Sequence, residues 1–344
     1  MKALLKTERG VGNVNLLDVP ELKCPKDRIK VDVAFSGICG TDLHIFHDTF
    51  KSYPPVIMGH ELSGVVTEIG EEIKSVKVGD RVTVLGSHAV TCKECFYCKT
   101  GYYMFCESRR GMGHGVDGSF TKQVIVREDM IYKVPDHVSL EEAALSEPLA
   151  CAVQAIEELT EIKVGDTVLL SGPGPIGLLC LSLLKLKGCK IIVAGTSQDL
   201  TRLKIAKQLG ADVIVNVNEI ELQDLVMKET KGKGVDVTVE CAGVAQSINS
   251  CLNALKKLGK HIQVGIVGKE VTLNFDTILY KQIQLFGSLA HSMKTWDRVM
   301  QILEQKKINL EPIITHKLPL SQWKEAFKMC EEKTCGKILL FPDN

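Results

Sequence analysis

A chain of 344 residues, 45% of them apolar, exceeds the usual reach of one hydrophobic core and predicts two domains. Lys plus Arg and Asp plus Glu both number 42, so there is no bulk field to gather nucleic acid or an anionic membrane, and both are set aside as partners. The opening Met1-Lys-Ala-Leu-Leu-Lys has no signal-peptide h-region, and the apolar runs stop short of a membrane span, so a cytoplasmic protein is expected; in that compartment thirteen cysteines point to metal or reactivity before disulfides.

The first 150 residues change character over short intervals. Arg28 to Ala34, Leu62 to Gly70, Asp80 to Val84 and Phe120 to Val126 alternate between Gly and Pro punctuation, which predicts short antiparallel strands and a β-rich domain. Within this domain, Gly37-Ile-Cys39-Gly-Thr41-Asp42-Leu-His44 is followed by Gly59-His60-Glu61 and, much later, by Ser146-Glu147-Pro148. Each has an ordinary reading alone: Cys39 as a small buried residue, His60 as a satisfied core histidine, Glu147 as a first-turn carboxylate. Together they offer one sulfur, one nitrogen and one or two oxygens, the makeup of a zinc site that keeps a position open for chemistry. Between them lies Cys92-x-x-Cys95-x-x-Cys98, then seven residues and Cys106. Four thiols on a short loop suit a closed tetrahedral zinc site. An iron–sulfur cluster is the competing metal, but the fourth spacing is too long for the bacterial ferredoxin run and no Pro follows Cys106.

Glu141 to Glu158 reads as a helix leading into a second unit. That unit opens on Thr167-Val-Leu-Leu-Ser, then Gly172-Pro-Gly174-Pro175-Ile176-Gly177 and the apolar run from Leu178. Strand, glycine turn and helix in G-x-G-x-x-G spacing let a backbone bend, approach a pyrophosphate closely and aim a helix N-terminus at it. Strands follow at Lys190 to Gly195, Val213 to Val217, Val235 to Glu240, Lys260 to Val267 and Ile283 to Gly287. Helices are expected between them, at about 200–209, 220–230 and 245–258. Six apolar strands alternating with helices predict a parallel, doubly wound α/β sheet. Helices near 292–306 and 321–332 and a last strand, Lys337 to Phe341, are expected to rejoin the first domain, with the active site in the cleft between the two.

These motifs, in this order, resemble the zinc-containing alcohol dehydrogenases of the medium-chain dehydrogenase/reductase superfamily. The resemblance rests on Gly59-His60-Glu61-x-x-Gly64-x5-Gly70, the Cys39-Gly-Thr41-Asp42 turn, the four-cysteine loop and the glycine cradle, and it spans essentially the whole chain. The alcohol dehydrogenase pattern has a second cysteine where this chain has Glu147-Pro148-Leu149-Ala150, which is similar to the sorbitol (L-iditol) and threonine dehydrogenase branches.

The resemblance implies a GroES-like β-barrel catalytic domain over 1–150 with 288–344, a Rossmann domain over 151–287, and a homodimer or homotetramer. It implies two zinc ions per chain: a catalytic one on Cys39, His60 and Glu147, with Glu61 exchanging with water behind it, and a structural one on Cys92, Cys95, Cys98 and Cys106. Thr41 and His44 match the family's proton relay. The implied reaction passes hydride from a secondary alcohol, a polyol or sugar alcohol, to NAD or NADP. Threonine is the alternative substrate, and a non-catalytic nucleotide-binding relative the alternative class.

Cofactor contacts are expected from Gly172, Gly174, Pro175, Ile176, Gly177, Thr196, Ser197, Arg202, Val264 and Gly265. The second strand of the nucleotide unit ends in Ala194-Gly195-Thr196-Ser197, without the acid that binds a ribose in NAD enzymes. Asp199 is close enough to serve, whereas Arg202 or Lys204 would suit a ribose phosphate, so NAD and NADP both stay open. The related branches carry an Arg just after the sixth strand; here the stretch is Gly287-Ser-Leu-Ala-His291-Ser, and His291 is either its replacement or a helix cap.

Overall fold

The computed structural model describes residues 1–343. Strands β1 (Lys2–Lys6), β2 (Val14–Asp18), β3 (Ile29–Gly37), β4 (Val56–Ile57), β5 (Glu61–Ile69), β6 (Arg81–Val84), β7 (Gln123–Val126) and β8 (Ile131–Lys133) make up the first part of the chain. β1, β2 and β4 form a small antiparallel sheet that the sequence reading did not include. The others pair antiparallel, and β3 buries Ile29, Val31 and Val33 on one face, the period of two that the alternation predicted.

Strands β9 (Thr167–Ser171), β10 (Lys190–Gly195), β11 (Val213–Asn216), β12 (Val235–Glu240), β13 (Leu255–Gln263) and β14 (Gln284–Gly287) form a six-stranded parallel sheet in the order β11-β10-β9-β12-β13-β14. The order reverses beside β9, so a crevice opens at the C-terminal ends of β9 and β12. Val168, Leu169 and Leu170 of β9 are all fully buried; helices cover both faces, which is why this strand reads as an unbroken apolar run.

The tail returns to the first part of the chain. β15 (Ile314–Pro319) pairs with β16 (Lys337–Phe341), and β16 pairs with β3, which makes a seven-stranded sheet with β5 to β8. The helix Met293–Glu304 starts at a capping box between Ser292 and Thr295 and buries Trp296, Val299 and Leu303, three or four residues apart. Each such burial stabilises by about 1.5–3 kcal/mol, which fixes the segment just ahead of the cap.

Two predicted boundaries are corrected. The helix expected over 245–258 ends at Ala254; Leu255 already pairs with Val235, and Leu258, at φ 63°, cannot continue a right-handed helix. The helix expected over 141–158 is divided into Leu140–Ala143, Ser146–Val153 and a π-helical turn, Gln154–Glu158. Pro148 lacks an N–H and would break a continuous helix, but it is tolerated in the first turn of one that restarts at Ser146.

Candidate active site and metal centres

The four-cysteine loop closes on itself. Cys92 Sγ lies 3.9 Å from Cys98 Sγ and 3.6 Å from Cys106 Sγ. Backbone N–H groups of Cys92, Cys95 and Cys98 donate to the sulfurs of Cys106, Cys92 and Cys95 at 3.3–3.4 Å. The Cys95 and Glu94 amides pull the Cys92 thiol down to about 6, toward the thiolate a metal needs. Four sulfurs held tetrahedrally about 2.3 Å from a zinc stand about 3.8 Å apart, the spacing found here, so the loop fits that ion.

The second cluster forms where the barrel meets the parallel sheet. Cys39 caps the helix Gly40–Phe46, and the Asp42 carboxylate folds back to accept the Cys39 N–H at 2.8 Å. Asp42 is fully buried, and its other oxygen lies 3.7 Å from His60 Nδ1; neither atom has another hydrogen-bond partner. One ligand atom each of Cys39, His60 and Glu61 lies within 4.8 Å of the other two. Burial alone would push His60 down, but Asp42, Cys39 and Glu147 outweigh it and hold its imidazole well above the ordinary range. A site this anionic draws in positive charge, so a cation on sulfur, imidazole and carboxylate fits the donor set. Asp42 stands where it orients the ring.

Glu61, expected behind the metal, lies with Cys39 and His60 and has a partner that the sequence did not reveal. Lys337 Nζ donates to both its oxygens at 2.8 and 2.7 Å and to the Ile38 carbonyl at 2.9 Å, and both side chains are buried.

Glu147 enters from the restarted helix Ser146–Val153 and meets His291 Nε2 at 3.2 Å, across 144 positions of sequence. Cys151 completes this second group of possible ligands. The tautomer of His291 decides what it can do. Trp296 Nε1, which can only donate, points at His291 Nδ1 at 2.9 Å, and Tyr103 Oη lies 2.9 Å from the same nitrogen. Nδ1 therefore carries the lone pair and Nε2 the proton, aimed at Glu147. A neutral imidazole so disposed donates to a carboxylate and has no nitrogen left for a metal. Burial pushes Glu147 up, but the His291 hydrogen bond and the nearby positive charges hold it at about 2. The helix cap is Ser292, and His291 sits fully buried behind Glu147.

Cys39, Thr41, His60 and Glu147 share one cleft with Ile176 and Val264 from the parallel-sheet side, so the two halves of the expected site face each other. Arg109 and His114, which sequence reading passed over, also line it. His44 does not: it is exposed, one turn beyond Thr41.

A second crevice, at the C-terminal ends of β9 and β10, is lined by Gly172, Gly174, Gly195, Thr196, Asp199 and Arg202, among others. Gly172 has φ 91°, and a Cβ on Gly177 would meet the Gly172 carbonyl at 2.1 Å, whereas one on Gly174 would meet nothing within 4 Å. Two glycines are thus needed for the turn and its packing, and the third leaves an open approach. Pro175 opens the helix Pro175–Leu186 behind the turn. Gly265 follows Val264 where β13 ends, and its N–H donates to the Glu240 carbonyl at 2.9 Å. Asp199 is turned inward, accepting the Thr196 N–H at 3.0 Å and hydroxyl at 2.8 Å. Arg202 is buried, donating to the Cys335 carbonyl at 2.7 Å and standing 3.6 Å from Asp199. Neither is the free group the sequence suggested, and Lys204 is exposed outside the lining. The Ser197 N–H is taken by Asn218 Oδ1. Glu240 was missed: fully buried, it accepts from the Ala242 and Gly243 amides, Ser247 and Gln263, bracing the loop beside the cradle. The signal was available as a charged residue ending an apolar strand.

Comparison with known proteins agrees with this geometry. Residues 25–136 match the alcohol dehydrogenase GroES-like domain, and residues 175–305 match the zinc-binding dehydrogenase family. The chain is 37% identical over 343 residues to a sorbitol dehydrogenase of Halalkalibacterium halodurans, covering 99% of each. It is 38% identical to a D-arabitol-phosphate dehydrogenase of Enterococcus avium, covering 99% of this chain and 97% of that one. The solved structure of 2R,3R-butanediol dehydrogenase from Bacillus subtilis superposes with a TM-score of 0.88 at 30% identity, with 99% of each chain covered. With its GroES-like domain, its Rossmann sheet and relatives matched from end to end, the chain belongs to the zinc-containing alcohol dehydrogenases of the medium-chain dehydrogenase/reductase superfamily.

Proposed function

We propose that this enzyme oxidises a secondary hydroxyl of a polyol or sugar alcohol to a ketone, with NAD or NADP as acceptor. The carrying observation is the shared cleft, in which Cys39, His60 and Glu147 on the barrel face Ile176 and Val264 beside the glycine cradle. Residues 1–150 with 288–344 serve as the catalytic domain and 151–287 as the dinucleotide domain. Cys39, His60 and Glu147 would hold the catalytic zinc, with Glu61 behind it, and Cys92, Cys95, Cys98 and Cys106 the structural one. Bound there, zinc supplies a Lewis acid for the substrate hydroxyl, and the dinucleotide supplies the hydride acceptor.

The chain's own residues position the reactants and remove the proton. Ile176, Val264 and Leu289 give the cleft an apolar wall that keeps water from the transfer. Thr41, in the cleft, receives the hydroxyl proton and His44 passes it out. Thr49 Oγ1 donates to the His44 carbonyl at 3.2 Å and so accepts from His44 Nδ1 at 3.0 Å, which leaves Nε2 as the free base. We assign the cofactor to the other crevice, where Gly172, Gly174, Thr196 and Arg202 are in the lining and Gly177 and Pro175 build the turn behind; Ser197 and Gly265 are further proposed contacts.

Rates of nicotinamide reduction with NAD and NADP against sorbitol, xylitol, D-arabitol and L-threonine test the reading. Chelator-sensitive turnover of a polyol is expected; turnover of threonine alone would replace it.

All thirteen cysteines are free thiols, and among the described residues no helix is long and apolar enough to cross a membrane; we place the protein in the cytoplasm. We further take it to associate through β14, whose outer edge has no partner strand among the described residues and exposes Leu285, beside a helix exposing Phe275, Leu279 and Tyr280. Leu285→Asp should shift the mass seen by light scattering from dimer or tetramer toward monomer; an unchanged mass would move the interface elsewhere.

A further inference from the structure

Arg109 is the cation of the catalytic cleft that no carboxylate compensates. Its Nε donates to the Ser87 carbonyl at 2.8 Å, which fixes the guanidinium plane, and it makes no ion pair among the described residues. His114, also in the lining, is half-buried and packs edge-on against Phe50. Glu147 is the one carboxylate in the lining. It is committed to His291 and, on the reading above, to the metal. The thiolate of Cys39 and the carboxylate of Glu147 balance a divalent ion, Glu61 is balanced by Lys337, and Asp42 lies behind His60, outside the lining. Among the described residues Arg109 is thus the one Lys or Arg side chain in that lining, left without an ion-pair partner and presenting a planar donor fork to substrate.

We infer that Arg109 binds an anionic substituent of the alcohol, and that the substrate is a phosphate monoester of a polyol. The inference rests on the polyol dehydrogenase reading and names the substrate within it. A guanidinium fixed through Nε keeps its two terminal nitrogens for bidentate bonding to a phosphate, a stronger match than the hydroxyl of a free polyol. The carboxylate of threonine would also suit Arg109, but its ammonium would find no free acid in the lining, so the amino acid leaves one charge unpaired in a half-closed cleft.

The test compares kcat/KM for D-arabitol, its 1- and 5-phosphates and L-threonine in the zinc-loaded enzyme and in Arg109→Ala and Arg109→Lys. The better phosphate ester should exceed the free polyol on the order of 100-fold, most of that preference should vanish in Arg109→Ala, and Arg109→Lys should fall between. Inorganic phosphate should compete with the polyol in the native enzyme and lose that competition in Arg109→Ala, while NADH binding by fluorescence reports that the variant is folded. Equal use of ester and free polyol, or a preference that survives Arg109→Ala, overturns the inference and leaves the polyol reading standing. Turnover of threonine with neither polyol nor ester overturns both.

Discussion

Replacing His291 by alanine is expected to lower zinc affinity at the Cys39–His60–Glu147 site by about 10- to 100-fold, the usual cost of losing a group that orients a metal ligand. The four-cysteine site should stay loaded, so after dialysis against a weak chelator the metal content falls from two zinc per chain toward one. The reason lies in the chain of donors behind Glu147. Trp296 Nε1 fixes the lone pair on His291 Nδ1, which places the proton on Nε2 facing Glu147 at 3.2 Å. The ring cannot drift, because Ser292 donates from its N–H to Gln154 at 3.3 Å and Thr295 donates to the same amide oxygen at 2.8 Å. Without the imidazole, Glu147 loses both the bond that aims it and the contact that most holds its carboxyl down against burial. Trp296→Phe should give a smaller loss, since it frees the tautomer without removing the ring, and His291→Gln, which restores an N–H donor, should recover part of the affinity. Equal metal retention in all three variants would reduce His291 to a packing residue.

The parts of this architecture that sequence reveals are those whose logic is local. Gly172, Gly174 and Gly177 lie within one turn of chain, and the four cysteines within a single loop, so spacing alone reports geometry. That the sheet is parallel and doubly wound follows from apolar strands alternating with helices. What the sequence hides are pairings created by the topology. His291 meets Glu147 only because the chain after β14 returns beneath the helix Ser146–Val153, and Lys337 meets Glu61 only because β16 docks beside β3. Arg202 is hidden in the same way: the turn before β16 brings the Cys335 carbonyl to accept its Nε–H at 2.7 Å, and the side chain is buried. At 255–258 an apolar, lysine-rich run suits helix and strand equally, and pairing with β12 decides for the strand.

Lys337→Met should be the most destabilising single substitution at the site. An exposed ion pair contributes at most about 1 kcal/mol, but removing one partner of a buried pair strands the other and costs about 3–5 kcal/mol. Lys337 is 2% exposed and Glu61 0%, and the ammonium is the one side-chain donor to either oxygen of that carboxylate. The same ammonium ties β16 to the Ile38 carbonyl, beside the bond from the Ile38 N–H to the Ile338 carbonyl at 3.1 Å and the register of Leu339 with Gly37 and Leu340 with Ser36. Its loss should therefore appear twice, as a lower thermal midpoint with zinc in excess and as faster proteolysis in the segment from about 310 to the end of the chain. Adding Glu61→Gln to Lys337→Met discriminates between causes. If the cost is the stranded charge, the double variant is more stable than Lys337→Met alone, because a neutral amide tolerates burial better than an unpaired carboxylate. If the cost is only the lost bond to Ile38 and the lost packing of a long side chain, the second substitution restores nothing, and the pair serves to place Glu61 beside the metal site instead of holding the tail to the barrel.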